Sequence, residues 1–369
     1  MKIALVTIQN SNNYGAMLQA YATRVVFSEY GEVQTINYDN DYLSHHLDLF
    51  RFDLSIRGVK MFIHDLLRFR YRYKAVKRFK FFAKEYLNIT SLVSSYDLLA
   101  SKEYIYDIYV CGSDQIWNPT IVNKNKLIDP IYFLSFAALG AGKLSYASSM
   151  GPYKYNKEEG KLVKNLLSSF DGISVREKGA QEQLSSMITN NAIEHVLDPT
   201  LLLSKKDWLK ILNIEEKQGD YILVYTVPRS PLMKAAISYF SNELGFPIIS
   251  LDQMFLPLVK VDKHVRDAGP IEFVKLFVNA KFVITDSFHG TCFALNFEKA
   301  FVSISPGKSS NRITSLFDAL GVSNRMVSSE AEFKKVNRTA ENKGVMNKLS
   351  TLKSNSLSFI KASINHKTS

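Results

Sequence analysis

Cysteine is scarce in this sequence. Cys111 and Cys292 are the only two in 369 residues, and each lies within an apolar pattern typical of a strand or a helix. Reduced packing residues fit these positions better than a disulfide framework or a thiolate zinc site. No cluster of acidic residues suggests a metal either, so we expect neither disulfides nor a bound metal.

Long hydrophobic runs are missing as well. No window approaches the roughly 18 apolar residues of a membrane span, and the apolar run in MKIALVTIQN is too short for the core of a signal peptide. With 46% hydrophobic and 22% charged residues, the composition is that of an ordinary soluble globular protein. We therefore expect a cytoplasmic protein.

Two nucleotide-binding fingerprints are absent. The sequence contains neither GxGxxG nor the P-loop pattern GxxxxGK, so dinucleotide-dependent and ATP-dependent functions lose support and no cofactor is expected. Helix-turn-helix, zinc-finger and RNA-binding signatures are also missing, and we expect no nucleic-acid partner.

The length and the periodicity together predict two α/β halves. Buried-strand patterns alternate with helical ones, and 369 residues fit two domains of ordinary size. The Asp198-Pro199 step resembles a turn, and residues 205–218 are charged and polar, so the boundary is placed near Ser204. The predicted units are an N-terminal domain at 1–204 with a basic helical insertion at about 51–90, a C-terminal domain at 205–345, and a C-terminal helix and frayed tail at 346–369.

The positive charge is concentrated in one segment. Residues 51–90 hold eleven Lys or Arg against three acids, which is +8 of the net charge of +11. An aromatic stripe at spacings of three and four predicts a helix there; its members are Phe69, Tyr73, Val76, Phe79, Phe82 and Tyr86. Three interpretations stay open: a helix packed by its aromatic stripe, contact with an anionic membrane or a phosphate-bearing acceptor, and, least supported, nucleic acid.

A candidate active-site turn follows a strand pattern in VITDSFHGTCFA. Ser287 and His289 come where the strand ends and a helix begins, the edge at which ligands collect in open α/β sheets. Gly290 allows a tight turn, and an imidazole can act as a general acid or base near neutral pH. The alternative is that His289 is only a hydrogen-bonding or capping residue.

Two polar clusters follow strands of the N-terminal half. The loop after the first strand carries Asn13 and Tyr14, with Gln19 on the next helix, and is a candidate ligand loop. The second cluster has the carboxylate, amides and aromatic ring that suit a sugar-binding surface; its members are Asp114, Gln115, Trp117 and Asn118. The alternative is that Asp114 caps a helix and Trp117 fills a domain interface.

Cationic residues end two further strand patterns. Arg176 follows ISV, where a guanidinium suits a carboxylate or phosphate, although a salt bridge to Glu177 or Asp198 is the alternative. Lys308, Asn311 and Arg312 follow AFVSI in a glycine-containing turn of anion-binding composition. Together with His289, these cations suit a small, highly anionic substrate.

Six motifs in order resemble the polysaccharide pyruvyl transferase family. They are NYGAMLQAYA, YVCGSDQIWNP, SYASSMG, SVREKGA, VLDPTLLL and TDSFHGTCFAL, and the resemblance covers residues 1 to about 321. The resemblance implies an α/β fold with two Rossmann-like domains in a GT-B-like architecture with an interdomain cleft. It also implies transfer of a pyruvyl group from phosphoenolpyruvate onto two hydroxyls of a sugar, as a ketal.

The resemblance also implies roles for individual residues. His289 corresponds to the family's catalytic histidine, Arg176 to its phosphoenolpyruvate-binding arginine and, most loosely, Lys308 to the basic residue that follows. The N-terminal domain is then the acceptor side, taking a sugar or a lipid-linked oligosaccharide, and the C-terminal domain the donor side. A nucleotide-sugar glycosyltransferase of the same architecture and a non-catalytic relative are the alternatives, and the oligomeric state is left open.

Overall fold

In a computed structural model, the chain forms two compact units. The structure describes residues 1–40, 42–51, 55–100, 103–189, 191–307, 310–322, 324–340 and 343–368. Unit 1 comprises Met1–His46, Ala83–Leu202 and Leu349–Ser369. Unit 2 comprises Leu47–Phe82 and Leu203–Lys348.

Strands and helices alternate along most of the chain. The strands are β1 (Lys2–Val6), β2 (Glu32–Thr35), β3 (Ile108–Cys111), β4 (Gly142–Ser145), β5 (Ile173–Val175), β6 (Ile193–His195), β7 (Ile222–Tyr225), β8 (Ile248–Leu251), β9 (Lys263–Val265), β10 (Phe282–Thr285), β11 (Ala300–Ile304) and β12 (Met326–Val327). The helices are α1 (Tyr14–Phe27), α2 (Ile56–Leu67), α3 (Phe69–Tyr86), α4 (Ser95–Ala100), α5 (Pro119–Val122), α6 (Lys157–Leu167), α7 (Lys178–Met187), α8 (Lys205–Ile211), α9 (Pro231–Leu244), α10 (Pro270–Asn279), α11 (Phe288–Asn296), α12 (Asn311–Leu320) and α13 (Lys343–Thr368).

Both units are built on parallel strands. In unit 1 the order is β2-β1-β3-β4, with β5 and β6 paired beside them and joined to β4 by the Leu144–Gly172 bridge. In unit 2 the order is β12-β11-β10-β7-β8-β9. Every residue of β3, β7 and β10 is buried, as expected for strands covered by helices on both faces. The predicted α/β class and the two Rossmann-like domains are confirmed, and the cleft between them stays a prediction.

The two units do not contain the same segments as the predicted domains. The chain passes from unit 1 to unit 2 at Leu202 and Leu203, close to the predicted boundary. The basic segment, expected as an insertion in the N-terminal domain, groups with unit 2 up to Phe82. Salt bridges connect α3 to this unit: Arg78 Nη1 lies 3.6 Å from Asp267 Oδ1, and Arg78 Nε lies 3.1 Å from Glu272 Oε1.

The basic segment is helical, as predicted, but its aromatic stripe is only partly buried. Val76, Phe79 and Phe82 are buried, whereas Phe69 and Tyr73 are exposed. The interpretation of this segment as a helix packed by its aromatic stripe is therefore confirmed only in part, because Phe69 and Tyr73 at the start of α3 remain exposed.

The C-terminal segment is an ordered part of unit 1. The helix α13 continues to Thr368, and its Ile360 and Ile364 are buried. The backbone N–H of Leu197 donates to the Ser356 hydroxyl at 3.0 Å, which fixes the helix to the turn after β6. The expected frayed tail is wrong, because isoleucines four residues apart give the helix an apolar stripe.

We expect Ile360→Ala to destabilise unit 1 by about 2–5 kcal/mol, because the side chain is completely buried and its removal leaves a cavity. The matched control is Lys361→Ala at the exposed neighbouring position. Urea unfolding followed by circular dichroism measures both. Equal unfolding midpoints for the two variants would show that α13 contributes no packing.

Candidate active site

The carboxyl edge of each sheet contains a point at which the strand order reverses, and ligands collect at such points in open α/β sheets. In unit 2 this point lies between β7 and β10, because β8 and β9 extend one side of the sheet and β11 and β12 the other. In unit 1 it lies between β1 and β3 for the same reason.

In unit 2, Asp286 joins the ends of the two strands at this point. Its carboxylate accepts hydrogen bonds from the Thr226 hydroxyl at 2.6 Å and the Val227 N–H at 2.7 Å. Burial raises the pKa of Asp286 above its usual value, and these hydrogen bonds oppose the shift. Asp286 therefore fixes the turn that precedes α11.

The first turn of α11 carries His289. Ser287 caps the helix by accepting from the Gly290 N–H at 3.3 Å, so His289 is the second residue of the helix. Its side chain is 6% exposed and lies edge-on to the Phe288 ring, with centroids 5.3 Å apart. The first turn of a helix favours negative charge, so the histidine lies where an anionic group is stabilised.

Gly290 lets α11 approach the sheet closely. A Cβ at this position would lie 2.3 Å from Thr285 Oγ1 and 3.0 Å from Tyr225 Cδ1. Thr285 is held there because its hydroxyl donates to the Tyr225 carbonyl at 2.8 Å and accepts from the Ser287 N–H at 3.1 Å. The position of His289 thus depends on a backbone contact that only glycine permits.

Arg312 is near the same turn. Its guanidinium lies over the Phe288 ring, 5.6 Å from the centroid, and its backbone N–H is bound by the Asn311 side chain at 3.0 Å. The structure therefore places Ser287, His289 and Arg312 around one helix start, as the sequence predicts. Lys308 lies outside the described residues.

The corresponding edge of unit 1 is tied by hydroxyl and amide groups. The Thr7 hydroxyl donates to the Ser113 carbonyl at 2.8 Å and accepts from Gln19 Nε2 at 2.9 Å. Gln19 also donates to the Ala16 carbonyl and is completely buried. Gln19 therefore shapes the β1–α1 loop from beneath and is a structural residue rather than a surface for a substrate.

Arg176 is the centre of a buried ion network. Its guanidinium donates to Asp198 at 2.7 Å, to Asp114 at 3.1 Å and to the Ser113 hydroxyl at 3.2 Å, and Glu177 lies 3.9 Å away. Burial lowers the pKa of Arg176, but the carboxylates of Asp198, Asp114 and Glu177 outweigh it and the net shift is upward. The salt bridge to Asp198, given above as the alternative, is present. The role of Arg176 in binding phosphoenolpyruvate stays a prediction.

Asp114 occupies an unusual backbone conformation. Its φ is +74°, in the left-handed region that costs free energy for a residue other than glycine. Its carboxylate accepts from the Gln115 N–H at 2.9 Å as well as from Arg176, and its side chain is 12% exposed. Asp114 is thus held rigidly at the edge of unit 1 with part of its carboxylate accessible.

The other predicted residues of unit 1 have mixed environments. Trp117 is buried, stacks on Phe133 at 5.3 Å and donates to the Tyr132 carbonyl, so its ring lies in the core rather than where a sugar could stack. Asn118 is buried, caps α5 and donates to Gln115 Oε1 at 3.1 Å.

The predicted loop after β1 is only partly exposed. Asn13 is exposed and caps α1 by accepting from the Ala16 N–H, whereas Tyr14 is buried. Asn13 is therefore the member of the loop's predicted set that remains open to a ligand.

Several residues of these edges were not predicted from the sequence. Thr7 and Thr226 connect neighbouring strands through their hydroxyls, and a threonine directly after a buried strand was the signal that could have found them.

Asp252, which directly follows β8, was missed as well, and its carboxylate lies 3.2 Å from the Arg229 guanidinium and 3.1 Å from His264 Nε2. Burial raises the pKa of Asp252, but its hydrogen bonds, led by that from His264, outweigh this and lower it overall. Among the described residues, no group of three His, Cys, Asp or Glu side chains is arranged to hold a metal.

Comparison with known proteins gives one match of sequence and several of structure. The family model described as polysaccharide pyruvyl transferase matches residues 13–308, which is more than half of the chain. No curated protein matches the sequence.

The structural matches are weak. The chain is similar to UDP-N-acetylglucosamine 2-epimerase from Rickettsia bellii (12% identity, 99% of this chain and 97% of that chain, TM-score 0.49). It is also similar to UDP-GlcNAc 2-epimerase from Neisseria meningitidis (12%, 97% and 99%, TM-score 0.46) and to the E. coli heptosyltransferase WaaC (11%, 85% and 90%, TM-score 0.41). Likenesses this weak say nothing about what the chain binds.

We expect Gly290→Ala to destabilise unit 2 by about 1–3 kcal/mol, because the added methyl group overlaps Thr285 and forces α11 away from the sheet. In the matched control, Gly179→Ala, the new methyl group meets no atom within 4 Å, and a helix gains up to about 1 kcal/mol from this exchange. Thermal unfolding compares the two variants. A Gly290→Ala protein as stable as Gly179→Ala would contradict the close approach.

We expect Arg176→Met to destabilise unit 1 by about 3–5 kcal/mol, because it leaves buried carboxylates without their cation. Lys178→Met, two residues away and exposed, is the control and should change stability little. Urea unfolding is the measurement. A stable Arg176→Met protein with a raised KM for phosphoenolpyruvate would show instead that the arginine serves the donor.

Proposed function

Because the chain belongs to the polysaccharide pyruvyl transferase family, we propose that it transfers a pyruvyl group from phosphoenolpyruvate to two hydroxyls of one sugar. The product is a cyclic ketal, and the acceptor is a cell-surface polysaccharide or its lipid-linked precursor. The observation that carries this proposal is the placement of His289 in the first turn of α11, beside Arg312 and at the point of strand reversal in unit 2.

The donor side is assigned to unit 2. Phosphoenolpyruvate carries a carboxylate and a phosphate, and the first turn of α11 and the Arg312 guanidinium both favour anions. Ser287 and Asn311 lie next to these two groups and supply polar side chains. Lys308 joins this set through the family resemblance.

His289 is proposed as the general acid. Its imidazolium gives a proton to the methylene carbon of phosphoenolpyruvate while the first sugar hydroxyl adds to C2 and loses its own proton. The C2–O bond to phosphate then breaks with its electron pair, and the second hydroxyl adds to C2. One hydroxyl proton thus replaces that of His289, and the other leaves with inorganic phosphate. A positioned acid contributes roughly 100- to 10,000-fold.

The acceptor side is assigned to unit 1. Asp114 is proposed to take the proton of the second hydroxyl and to pass it on to the departing phosphate, since its side chain is 12% exposed and its carboxylate is held by Arg176 and the Gln115 N–H. Asn13, the exposed cap of α1, and Gln115, which follows Asp114 in the chain, are the proposed contacts for sugar hydroxyls. Arg176 acts in this scheme by positioning Asp114, whereas the family resemblance implies direct contact with phosphoenolpyruvate.

These two roles of Arg176 have different kinetic signatures. A positioning residue affects kcat through Asp114, so Asp114→Asn and Arg176→Lys should lower kcat by similar factors. A donor-binding residue raises the KM for phosphoenolpyruvate, and then Asp114→Asn would leave that KM unchanged while Arg176→Lys raised it.

We expect His289→Ala to lower kcat/KM for phosphoenolpyruvate by roughly 100-fold or more, which is about 3 kcal/mol in the barrier. The measurement is acceptor-dependent release of inorganic phosphate, with a panel of simple glycosides and lipid-linked sugars. The matched control is His366→Ala, which replaces an exposed histidine of α13.

A loss smaller than about tenfold would reject the acid role of His289. No phosphate release with any acceptor, together with thermal stabilisation by nucleotide sugars but not by phosphoenolpyruvate, would reject pyruvyl transfer and favour glycosyl transfer.

A further inference from the structure

Two neighbouring segments of unit 2 expose large apolar side chains. On the α2–α3 elbow, Leu66, Leu67 and Tyr71 are 56%, 61% and 41% exposed. On the loop after β8, Phe255 and Leu256 are 44% and 66% exposed. Contiguous apolar surface of this kind marks a contact with a partner or a membrane.

The two segments touch through arginines. Arg68 of the elbow donates to the Gln253 carbonyl of the loop. Arg266, which follows β9, lies between rings of both segments, 4.3 Å from the Tyr71 centroid and 5.3 Å from the Phe255 centroid. We call the combined surface, made of Leu66, Leu67, Tyr71, Phe255, Leu256 and Arg266, the elbow surface.

Among the described residues, no carboxylate forms a salt bridge with Arg266. In the part of the chain that the structure describes, its Nε and Nη2 are buried and make no hydrogen bond, and the same holds for Nε of the buried Arg68. The neighbouring Asp65 is already shared by Arg51 at 2.7 Å and Arg68 at 3.0 Å. A guanidinium that stacks on two rings and has no carboxylate partner adds a positive charge to the elbow surface.

The flank of the elbow surface is basic. On α3, the exposed cations recur at helical spacing, and exposed Tyr73 and Phe81 lie among them; these cations are Arg70, Lys74, Lys77 and Lys80. On α2, Lys60 is exposed beside Val59 and Ile63, which are also exposed. Aliphatic and aromatic side chains bordered by lysine and arginine are typical of helices that lie on anionic membranes.

We propose that the elbow surface docks the protein on a bilayer that contains anionic phospholipid, with Arg266 and the flanking lysines and arginines attracting the lipid phosphates. A second copy of the chain is a poorer occupant, because a two-fold interface would bring the same cations face to face. Nucleic acid is a poorer one too, because the exposed leucines offer it nothing to bind. This inference goes beyond the proposed function and does not depend on it.

The test is co-sedimentation of the full chain with vesicles, which requires no substrate. One set contains phosphatidylglycerol and phosphatidylcholine in equal parts, and the other phosphatidylcholine alone. We expect binding to the anionic set only, weakening as salt rises. The double variant Leu67→Ser/Leu256→Ser should bind roughly tenfold or more weakly, because each leucine loses its favourable insertion.

Two further variants make the test specific. Arg266→Gln should weaken anionic binding, and inorganic phosphate should compete only weakly with vesicles. Leu139→Ser is the matched control, since Leu139 is fully exposed in unit 1 and lies outside the elbow surface. Sedimentation velocity measures the oligomeric state of each variant in parallel.

Several outcomes would overturn the proposal. Equal binding to both vesicle sets, or equal weakening by Leu139→Ser, would show that the elbow surface is not the docking site. Tight binding of inorganic phosphate without vesicle binding would identify a free anion as the ligand of Arg266. A dimer that the double leucine variant dissociates, with no vesicle binding, would identify a second copy as the occupant.

Discussion

The buried ion network around Arg176 fixes the functional edge of unit 1. The guanidinium reaches Asp114 after β3 and Asp198 after β6, so one cation connects turns that lie far apart in the sequence. Burying any one of these charges alone would cost several kcal/mol, and the cost is offset only because the opposite charges are buried together. This network also stabilises the left-handed backbone conformation of Asp114. Its carboxylate accepts hydrogen bonds from the Gln115 N–H and from Arg176, and Arg176 is itself held by Asp198.

In unit 2, the strand ends at the candidate catalytic turn are held by hydrogen bonds rather than by ion pairs. Asp286 ties β10 to β7 through a hydroxyl and a backbone N–H, and Gly290 lets α11 settle against Thr285. His289 is therefore placed by backbone geometry. This difference has a functional consequence, because Arg176 of unit 1 is neutralised by carboxylates of the protein, whereas Arg312 contacts an aromatic ring beside the candidate catalytic turn.

Local pattern was enough to predict the α/β class, most of the strands and the helix start at His289, because apolar runs and turn residues are properties of short segments. Charge pairing was predictable only in part: the salt bridge from Arg176 to Asp198 was one of the alternatives, whereas the pairing with Asp114, 62 residues away in the chain, was not anticipated. Trp117 was misplaced for the same reason, because its stacking partner Phe133 comes from another segment. Arg266 gave no signal at all, since β9 is a three-residue strand in a polar context and the rings that flank the arginine come from elsewhere.

The elbow surface and the candidate catalytic turn share one edge of the sheet in unit 2. Phe255 follows β8 and Arg266 follows β9, while His289 follows β10, and all of these strands are parallel. From β9 to β10 there are three strand spacings, which is about 15 Å. A protein docked through the elbow surface would therefore place this edge of the sheet on the side of the membrane. An acceptor attached to a lipid carrier would meet the enzyme there by diffusion in two dimensions, whereas phosphoenolpyruvate would arrive from solution. If both proposals hold, docking and chemistry at the same edge would favour lipid-linked sugars over finished polysaccharide as the acceptor.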